Sequence, residues 1–372
     1  MNGSRRPDAR FWNGRSVFLT GHTGFVGGWL AFWLHRMGAR LCGYSLAPPT
    51  QPNFFSAVGI DRLVSSTLGD VRDQPALLRA VADARPEVII HLAAQPLVSE
   101  AFRNPSETFT VNVTGTLNVL EAACAADQLK SLVVFTTDKV YAEGATQRRF
   151  REEDPLGGLE PYALSKASAE FVVLSYVRSR LRERLAELGV VTVRAGNIIG
   201  GGDWARDRLV PDAVRAFSTG VPLLVRNPHA VRPWQHVLDA LNGLLVVAEA
   251  SCLSPGVTSG AWNLGPLEAG TFTVADVADR LVRHWGADAS WRAGEEARIP
   301  ESAHLEIDSR KAAEKLGIRT SWTLDEAIAQ TMGWYRAFHD GGDMFTLSNS
   351  QIERHQGCTS RHAEALMSSS HP

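Results

Sequence analysis

Tyr162 and Lys166 form a pair of residues whose types and spacing could do chemistry. They lie four residues apart on a predicted helix that begins near Pro161, so their side chains share one helix face. An ammonium group beside a phenol favours the phenolate and lowers the phenol pKa, which would give a general base usable near neutral pH. A lone pair at this spacing is most often an ordinary surface pair, so its meaning depends on its context.

Three polar residues, Thr137, Asp138 and Lys139, follow an apolar run that starts at Ser131. The run is rich in β-branched and aromatic residues without alternation, which predicts a strand buried on both faces of a parallel sheet. Its polar end would lie at the carboxyl edge of the sheet, where open α/β sheets bind their ligands. Both the position and the chemistry of these three residues therefore indicate a site.

A glycine-rich turn lies near the start of the chain. The apolar strand at residues 16–20 runs into Gly21, Gly24 and Gly27, and a predicted helix follows. Glycines at these positions permit a tight turn and let backbone amides approach a pyrophosphate at the helix N-terminus. A glycine motif alone is a weak signal. Joined to the threonine and the Tyr-x-x-x-Lys pattern in an alternating β/α chain, it becomes a strong one.

Several segments of the sequence together resemble the extended short-chain dehydrogenase/reductase family, and within it the nucleotide-sugar 4,6-dehydratases, most closely those that act on CDP-glucose. The resemblance runs from about residue 15 to about residue 335 and is carried by TGHTGFVGGWL at 20–30, GYSLAPPT at 43–50, HLAAQPLV at 91–98, TTDKVY at 136–141, EEDPLGGLEPYALSKA at 152–167, RAGNIIGGGDW at 194–204 and RPWQHVLD at 232–239. The glycine turn and Tyr-x-x-x-Lys identify only the superfamily. Thr-Asp-Lys, where dTDP-glucose dehydratases have Thr-Asp-Glu, is more specific, as are DPLGG and RPWQHV.

The resemblance implies an NAD-dependent hydro-lyase that converts a nucleotide-diphospho-glucose to the 4-keto-6-deoxy sugar. Because the likeness is strongest to the CDP-glucose dehydratases, the substrate that it implies is CDP-glucose. Tyr162 would remove the proton of the sugar 4-hydroxyl while hydride leaves C4 for the nicotinamide, with Lys166 holding the phenolate and Thr137 hydrogen-bonding the oxygen. Asp138 would then protonate the departing 6-hydroxyl and Lys139 would take the C5 proton, before the hydride returns to C6. These roles need a protonated Asp138 and a neutral Lys139, and a water-mediated proton path stays open.

The cofactor that the resemblance implies is NAD. The residues expected around it are Gly21, Thr23, Gly24, Phe25, Val26, Gly27, Ser45, Asp70, Val71, Leu92, Ala93, Ala94, Gln95, Asn112, Tyr162 and Lys166. Sites for NAD usually carry an acidic residue at the end of the second strand, but Ser45 stands there. The absence of an arginine immediately after it argues against NADP, although Arg40 leaves some doubt. Asp70 could equally cap the following helix, and Asn112 could be a helix-surface amide.

The nucleotide-sugar site is expected between the sheet edge and a second lobe. The resemblance assigns Gln95, Thr137, Asn197, Arg226 and Arg232 to it. A guanidinium group matches phosphate oxygens in a bidentate geometry, so the two arginines suit a diphosphate. Without the resemblance, both would be read as ordinary surface arginines.

Composition excludes several classes of function. With a net charge of −2 and 21% charged residues, the chain shows no sign of binding nucleic acid or a membrane surface through bulk charge. The sequence contains neither a signal-peptide apolar region nor a run of about 18 apolar residues, so a cytoplasmic protein is expected. His22, His91 and His236 have no plausible catalytic partner in the sequence, which predicts structural roles. The cysteines lack metal-ligand spacing and are expected to be reduced and to bind no metal; they are Cys42, Cys124, Cys252 and Cys358.

The alternation of strands and helices predicts an α/β fold, a doubly wound parallel Rossmann-type sheet with a smaller C-terminal substrate-binding lobe. The expected NAD-binding domain comprises residues 14–195 and about 235–262, and the expected nucleotide-sugar-binding lobe comprises residues about 196–234 and 263–340. The polar residues 1–13 are expected to be loose. The segment 341–372 lacks periodicity and is expected to be a disordered tail.

Three alternatives to a CDP-glucose dehydratase stay open. The first is another nucleotide-sugar dehydratase, for a dTDP-, GDP- or UDP-linked sugar. The second is a nucleotide-sugar epimerase, which needs the threonine, tyrosine and lysine but no acid/base pair, so that Asp138 and Lys139 argue against it. The third is a non-catalytic NAD-binding protein, against which the intact Thr137, Tyr162 and Lys166 argue. The resemblance also implies a homodimer or homotetramer.

Overall fold

The computed structural model describes residues 4–142, 148–267, 272–286, 288–294 and 304–368, with side chains up to residue 357. No helix in this part of the chain has the length and apolar character needed to cross a bilayer. The side chain of Cys358 and the tail residues 369–372 lie outside the described residues.

A parallel sheet forms the centre of the described structure. Numbered in chain order, its strands are β1 (Ser16–Thr20), β2 (Arg40–Ser45), β3 (Ser65–Leu68), β4 (Val88–His91), β5 (Ser131–Phe135), β6 (Gly189–Ala195) and β10 (Gly260–Leu264). They lie in the order β10-β6-β5-β4-β1-β2-β3, and every pairing is parallel. The order reverses between β1 and β4, which is where doubly wound sheets bind ligands. The predicted fold class is confirmed.

Helices pack around this sheet. In chain order they are α1 (Ala9–Trp12), α2 (Phe25–Arg36), α3 (Phe54–Val58), α4 (Gln74–Ala84), α5 (Val98–Arg103), α6 (Pro105–Phe109), α7 (Gly115–Ala125), α8 (Pro161–Arg178), α9 (Leu209–Ser218), α10 (Val237–Leu253), α11 (Pro255–Thr258), α12 (Val274–Trp285), α13 (Arg310–Leu316), α14 (Leu324–His339) and α15 (Met344–Ser368). The predicted start of α8 is confirmed. The Glu160 side chain caps it by accepting hydrogen bonds from the backbone N–H groups of Tyr162 and Ala163, and Pro161 takes the first helical position.

A second group of elements follows β6. β7 (Ile198–Ile199) pairs with β9 (Gln235–His236), and β8 (Leu223–Val225) pairs with β11 (Trp291–Ala293). Aromatic rings join this group: Trp204 contacts Trp334 at a centroid distance of 5.6 Å and Phe338 at 4.9 Å. The glycine-rich turn after β7 is packed against them, since a Cβ on Gly201 would lie 2.1 Å from the Trp334 side chain. These contacts place the turn and α14 beside the carboxyl edge of the sheet.

The N-terminal segment is ordered from residue 4, so the expectation that residues 1–13 are loose is wrong for the described part. Trp12 is fully buried, and its indole Nε1 donates a hydrogen bond of 2.7 Å to Glu249 on α10. Arg6 donates to the Asn242 side chain on the same helix at 3.3 Å. A buried carboxylate therefore holds a segment whose polar composition gave no sign of packing, because hydrogen bonds to charged groups are strong.

The expected disorder of residues 341–372 is contradicted in the described part of that segment by α15. Up to residue 357 one face of this helix is buried, and it carries Met344, Ser348, Gln351, Ile352 and His355 at helical spacing. Ser348 accepts a hydrogen bond of 3.0 Å from the Trp334 indole, and the His355 ring contacts Asp239 on α10 at 2.9 Å. The sequence pattern did not predict this helix, because three of the five buried residues are polar and no apolar periodicity is visible.

Candidate active site

A cleft with a volume of about 1600 Å³ lies at the carboxyl edge of the sheet. It is bounded by the turns that follow β1, β2, β4, β5 and β6 and by the second group of elements. The residues predicted from the sequence that line it are Gly21, Thr23, Gly24, Phe25, Val26, Gly27, Ser45, Asp70, Val71, Leu92, Ala93, Ala94, Thr137, Asp138, Lys139, Tyr162, Lys166, Asn197, Arg226 and Arg232. Gln95 and Asn112 are not among the lining residues.

The polar end of β5 turns into the cleft through a short 3₁₀ turn at Asp138–Val140. Thr137 caps this turn: its hydroxyl accepts from the Lys139 backbone N–H at 3.4 Å and donates to the Asp138 carboxylate at 3.0 Å. The Thr137 side chain also hydrogen-bonds the Tyr162 phenol, which reaches it from α8. The Thr137 hydroxyl thus lies between Asp138 and Tyr162, two of the predicted catalytic residues.

Asp138 is a buried carboxyl group. Burial raises its pKa, while the charge of Lys139, the Thr137 hydrogen bond and the charge of Arg232 act in the opposite direction. Among the described residues, its Oδ2 atom has no hydrogen-bond partner. The carboxyl fits only because residue 196 is glycine, since a Cβ there would lie 2.2 Å from Oδ2. Asp138 is therefore suited to be a protonated acid.

Tyr162 and Lys166 are both buried on the same face of α8. Burial raises the pKa of the Tyr162 phenol to about 12, although the Thr137 hydrogen bond and the charge of Arg208 lower it. Burial lowers the pKa of Lys166 to about 8, and its ammonium donates to the carbonyl of Phe135 at 3.1 Å. The expected lowering of the phenol pKa is thus wrong for the protein alone, because desolvation outweighs the neighbouring charges.

The turn after β1 has the shape of a pyrophosphate cradle. Gly21 has a φ of 78°, and a Cβ there would lie 2.7 Å from the backbone nitrogen of Ala93. A Cβ on Gly27 would lie 2.1 Å from the Gly21 carbonyl oxygen. Gly24 occupies the N-cap position of α2 and has no side chain that could accept a hydrogen bond from the first N–H groups of the helix. These N–H groups therefore remain open toward the cleft. Close backbone approach and an uncapped helix N-terminus fit a dinucleotide.

The end of β2 presents hydroxyl groups where many NAD sites have a carboxylate. The Thr23 hydroxyl donates to the Leu46 carbonyl at 2.8 Å and lies 2.7 Å from the Ser45 hydroxyl. Because Thr23 has only one proton, Ser45 must donate its own proton to Thr23 and can only accept from a ribose hydroxyl. Arg40 begins β2 at the opposite edge of the sheet and donates to the Gly14 carbonyl at 2.9 Å. It therefore cannot provide a 2′-phosphate site for NADP.

Asp70 and Val71 follow β3 and line the cleft. Asp70 accepts hydrogen bonds of 2.9 Å and 2.6 Å from the Arg72 guanidinium, which lowers the pKa of the carboxyl. The cap of α4 is Asp73 and not Asp70, so the alternative role for Asp70 is excluded. Val71 is buried and contacts residue 115, where a Cβ would lie 2.7 Å from it.

Asn112 lies in a π-helical turn at Thr110–Thr114 and faces inward. Its amide accepts a hydrogen bond of 2.8 Å from the Gln95 backbone N–H and donates to the Gln95 carbonyl at 3.1 Å. It also donates to the Ser165 hydroxyl at 2.9 Å. The surface-amide alternative is therefore excluded. Asn112 holds the loop after β4 from behind the cleft. The Gln95 side chain donates to the Leu97 carbonyl in that loop and to the Thr108 hydroxyl on α6.

The residues predicted for the nucleotide-sugar site differ in how far they are exposed to solvent. Arg232 is buried, whereas the Arg226 side chain is 42% exposed and ion-pairs with Asp207 at 3.7 Å. The backbone carbonyl of Asn197 accepts from the Gln235 N–H at 3.2 Å, which fixes the start of the turn that carries its side chain. Both arginines line the same cleft as the predicted catalytic residues.

Arg208 is a cleft residue that the sequence did not reveal. Its guanidinium donates to Asp203 at 2.9 Å and lies near enough to Tyr162 to lower the pKa of the phenol. The preceding residue, Asp207, has a φ of 63° and accepts from the Ser99 hydroxyl at 2.6 Å. This turn directs Arg208 into the cleft, and the only sequence signal for it was a cluster of charges after the glycines.

The three histidines have structural roles, as predicted. Burial lowers the pKa of His22 to about 4 and those of His91 and His236 to about 3, so all three are neutral near pH 7. Each side chain hydrogen-bonds, to Ser66, Thr20 and the Leu238 backbone respectively. Within the described residues, no group of three or more His, Cys, Asp or Glu side chains could hold a metal ion.

Comparison with known proteins agrees with this geometry. The model of the NAD dependent epimerase/dehydratase family matches residues 17–265. CDP-glucose 4,6-dehydratase of Salmonella typhimurium is 40% identical over 357 residues, which cover 95% of this chain and 99% of that protein. The DesIV dTDP-glucose 4,6-dehydratase double mutant from Streptomyces venezuelae, solved with NAD, superposes with a TM-score of 0.73 at 24% identity, covering 88% of this chain and 99% of that one. UDP-glucuronic acid 4-epimerase from Bacillus cereus gives 0.74 at 20% identity, covering 87% and 99%. Both structural likenesses show the shared fold. The family model, which matches most of the chain, and the 40% identical relative establish that the protein belongs to the NAD-dependent epimerase/dehydratase family.

Proposed function

We propose that the protein is an NAD-dependent hydro-lyase that removes water across C5 and C6 of a nucleotide-diphospho-glucose and yields the 4-keto-6-deoxy sugar. The observation that carries this proposal is the buried Asp138 carboxyl beside Lys139, within one cleft with Thr137, Tyr162 and Lys166. Oxidation at C4 alone needs only the last three residues. The adjoining acid and base provide what elimination requires in addition.

In the oxidation, Tyr162 accepts the proton of the sugar 4-hydroxyl and Thr137 hydrogen-bonds the same oxygen. When bound, NAD would take the C4 hydride and give it back at C6 after the elimination, while C5 regains a proton, so that the overall reaction has no net oxidation. The pKa of about 12 for Tyr162 applies to the protein alone, and the charge of Arg208 near the phenol favours its ionised form. Lys166 is fixed by its hydrogen bond to the Phe135 carbonyl, so its ammonium stays close to the end of β5.

In the elimination, the 4-keto group acidifies the C5 proton and Lys139 accepts it as an amine. Asp138 donates its proton to the departing 6-hydroxyl, which leaves as water. Burial raises the pKa of Asp138 and so favours the protonated carboxyl before the step, and Asp138 lines the cleft in which the sugar would bind. After the step a carboxylate and an ammonium stand side by side, and their attraction favours the products.

We further propose that NAD lies across the switch between β1 and β4. The N–H groups at the start of α2 hold the pyrophosphate, Ser45 accepts from the ribose, and Asp70 and Val71 border the adenine. Leu92, Ala93 and Ala94 form the wall opposite the glycine turn, and Asn112 maintains that wall through Gln95. Residues 14–195 and about 235–262 would make up the NAD-binding domain, with the intervening residues and 263–340 as the sugar-binding lobe.

The nucleotide sugar occupies the other half of the cleft. Arg226 and Arg232 bind the diphosphate, with Arg208 as a third cation, and Asn197 contacts the same group. CDP-glucose is the proposed substrate. This choice rests on the 40% identity to a CDP-glucose 4,6-dehydratase over almost the whole chain and on Thr-Asp-Lys at residues 137–139.

A test of the function uses four substrates in parallel. The protein is incubated with NAD and CDP-, dTDP-, UDP- or GDP-glucose, and the 4-keto-6-deoxy product is measured by its absorbance in alkali. We expect product from CDP-glucose. An epimerase would give the 4-epimer without 6-deoxy sugar, and a non-catalytic NAD-binding protein would never reduce the cofactor, so either result contradicts the proposal.

We also propose that the protein forms a homodimer through α8. Leu164, Phe171 and Leu174 are 44%, 51% and 40% exposed and lie on the outward side of α8, away from the buried Tyr162 and Lys166. Three large exposed apolar side chains on one helix suit packing against the same helix of a second copy. Phe171→Glu should therefore give a monomer in sedimentation velocity; a monomeric wild type, or a variant that stays dimeric, would contradict this.

A cytoplasmic location is proposed too, in keeping with the free thiols of the described cysteines, Cys42, Cys124 and Cys252.

A further inference from the structure

A buried ion pair lies directly behind the catalytic residues. Glu170 on α8 and Arg194 on β6 have side chains that are each 4% exposed, and the guanidinium contacts both carboxylate oxygens. The Arg194 Nε atom donates to Glu170 at 2.8 Å. Neither residue lines the cleft. Because a buried ion pair often contributes little to stability compared with apolar packing, its presence here calls for another explanation.

The two partners hold opposite ends of one short segment. The Glu170 carboxylate accepts a hydrogen bond of 2.7 Å from the Thr136 hydroxyl. Arg194 donates to the Tyr141 hydroxyl at 2.8 Å, and Tyr141 in turn donates to Asn263 at 2.6 Å. Between Thr136 and Tyr141 lie the proposed acid and base of the elimination and the threonine of the oxidation.

The same pair is anchored on the helix that carries the other catalytic groups. Glu170 is four residues beyond Lys166 on α8, and Tyr162 is one turn before Lys166. A single carboxylate therefore connects the helix of the oxidation residues to the segment of the elimination residues. The distance between the two sets depends on this connection.

We propose that Glu170 and Arg194 are positioning residues that hold Asp138 and Lys139 in register with Tyr162, so that oxidation and elimination act on the same bound sugar. This inference rests on the dehydratase function proposed above. Neither Glu170 nor Arg194 would contact the substrate. Loss of the connection should slow the elimination more than the C4 oxidation, because Asp138 and Lys139 both lie in the released segment, whereas Tyr162 and Lys166 stay on α8 and only Thr137 is shared. A misplacement of about 1 Å can cost about 100-fold in rate.

The chain offers a matched pair of substitutions to test this. The Thr136 and Thr192 hydroxyls both donate to Glu170, at 2.7 Å and 3.4 Å, and both threonines are buried. Only Thr136 adjoins the catalytic segment. Thr136→Val and Thr192→Val each remove one hydrogen bond to the same carboxylate at nearly constant side-chain volume.

The readout is the partition between the two half-reactions. Reduced cofactor is followed by its absorbance, C5 exchange by deuterium uptake from deuterated water, and turnover by the 6-deoxy product. For Thr136→Val we expect an unchanged KM, reduced cofactor that accumulates, and elimination slowed roughly 10- to 100-fold. For Thr192→Val we expect the wild-type partition.

Tyr141→Phe provides a second variant in case Thr136→Val does not fold. It removes the group that receives the Arg194 hydrogen bond but keeps the ring that stacks on Phe150 at 4.8 Å. It should shift the partition in the same direction as Thr136→Val. Equal losses of oxidation and elimination in both variants, or the same shift in Thr192→Val, would overturn the inference, because a purely structural role predicts those results.

The wild-type protein separates failure of the inference from failure of the function. If it neither reduces NAD nor forms 6-deoxy sugar from any of the four nucleotide sugars, the dehydratase function is wrong and the inference is refuted with it. If the wild type turns over and the folded variants keep its partition, only the positioning role is refuted.

Discussion

Asp138 and Lys139 carry the part of the proposed chemistry that distinguishes a dehydratase from an epimerase on this fold. Elimination requires that the carboxyl be protonated and the amine neutral, which is the reverse of their states in neutral water. Burial of Asp138 acts in the required direction by raising its pKa, and the absence of a side chain on Gly196 makes that burial possible.

The role of Tyr162 is tested by Tyr162→Phe. The ring stays on the same face of α8, so the variant should fold, but the proton acceptor for the 4-hydroxyl is lost. We expect C4 oxidation to fall by roughly two to four powers of ten, the usual contribution of a positioned base. Stopped-flow absorbance of the reduced cofactor measures this step directly, and near-normal turnover would remove Tyr162 from the mechanism.

Lys139→Met tests the base of the elimination. Oxidation at C4 uses Tyr162, Thr137 and Lys166, so the variant should still reduce the cofactor. The C5 proton then has no acceptor, and we expect reduced cofactor to accumulate, no deuterium at C5 from deuterated water, and little 6-deoxy product. Full turnover with normal C5 exchange would show instead that another group or a water molecule takes the proton.

At the scale of single elements, the ends of the parallel strands determine which side chains reach the cleft. β4 illustrates this, because it ends at His91, which lies between the hydroxyls of Thr20 at 2.7 Å and Thr116 at 3.1 Å. The histidine links β1, β4 and α7 just below the glycine turn. Its burial as a neutral ring makes this junction sensitive to acid.

The stability of the protein should therefore fall on acidification. Burial lowers the pKa of His91 to about 3 from about 6.5 in an unfolded chain. Between these values the unfolded chain binds a proton that the folded chain does not, so the free energy of unfolding decreases as the pH falls below 6.5. His91→Asn should reduce the difference in unfolding free energy between pH 7 and pH 5 by roughly 2 kcal/mol. Urea unfolding at both pH values measures this, and the exposed His35→Asn, as control, should leave the difference unchanged.

For the molecule as a whole, the sequence predicted the parts in which chemistry and spacing are local. The glycine turn, the polar end of β5 and the pair on α8 are each readable within a few residues. Arg208 could not be predicted in the same way, because a positive φ at Asp207 and the Ser99 hydrogen bond direct it into the cleft. The Glu170–Arg194 pair was missed for a related reason, since its meaning depends on contacts between residues far apart in the sequence.

The tail shows the limit of periodicity most directly and gives the last prediction. Composition and the lack of periodicity favoured disorder after residue 340, yet Ile352 on α15 is fully buried between polar neighbours that hydrogen-bond to α10 and α14. If this packing holds the helix, Ile352→Ala should lower the free energy of unfolding by about 2–5 kcal/mol, as for other buried isoleucines. The exposed Arg354→Ala on the same helix should change it by no more than about 0.5 kcal/mol. Denaturant unfolding of the two variants separates the possibilities, because a disordered tail would make both substitutions equally harmless.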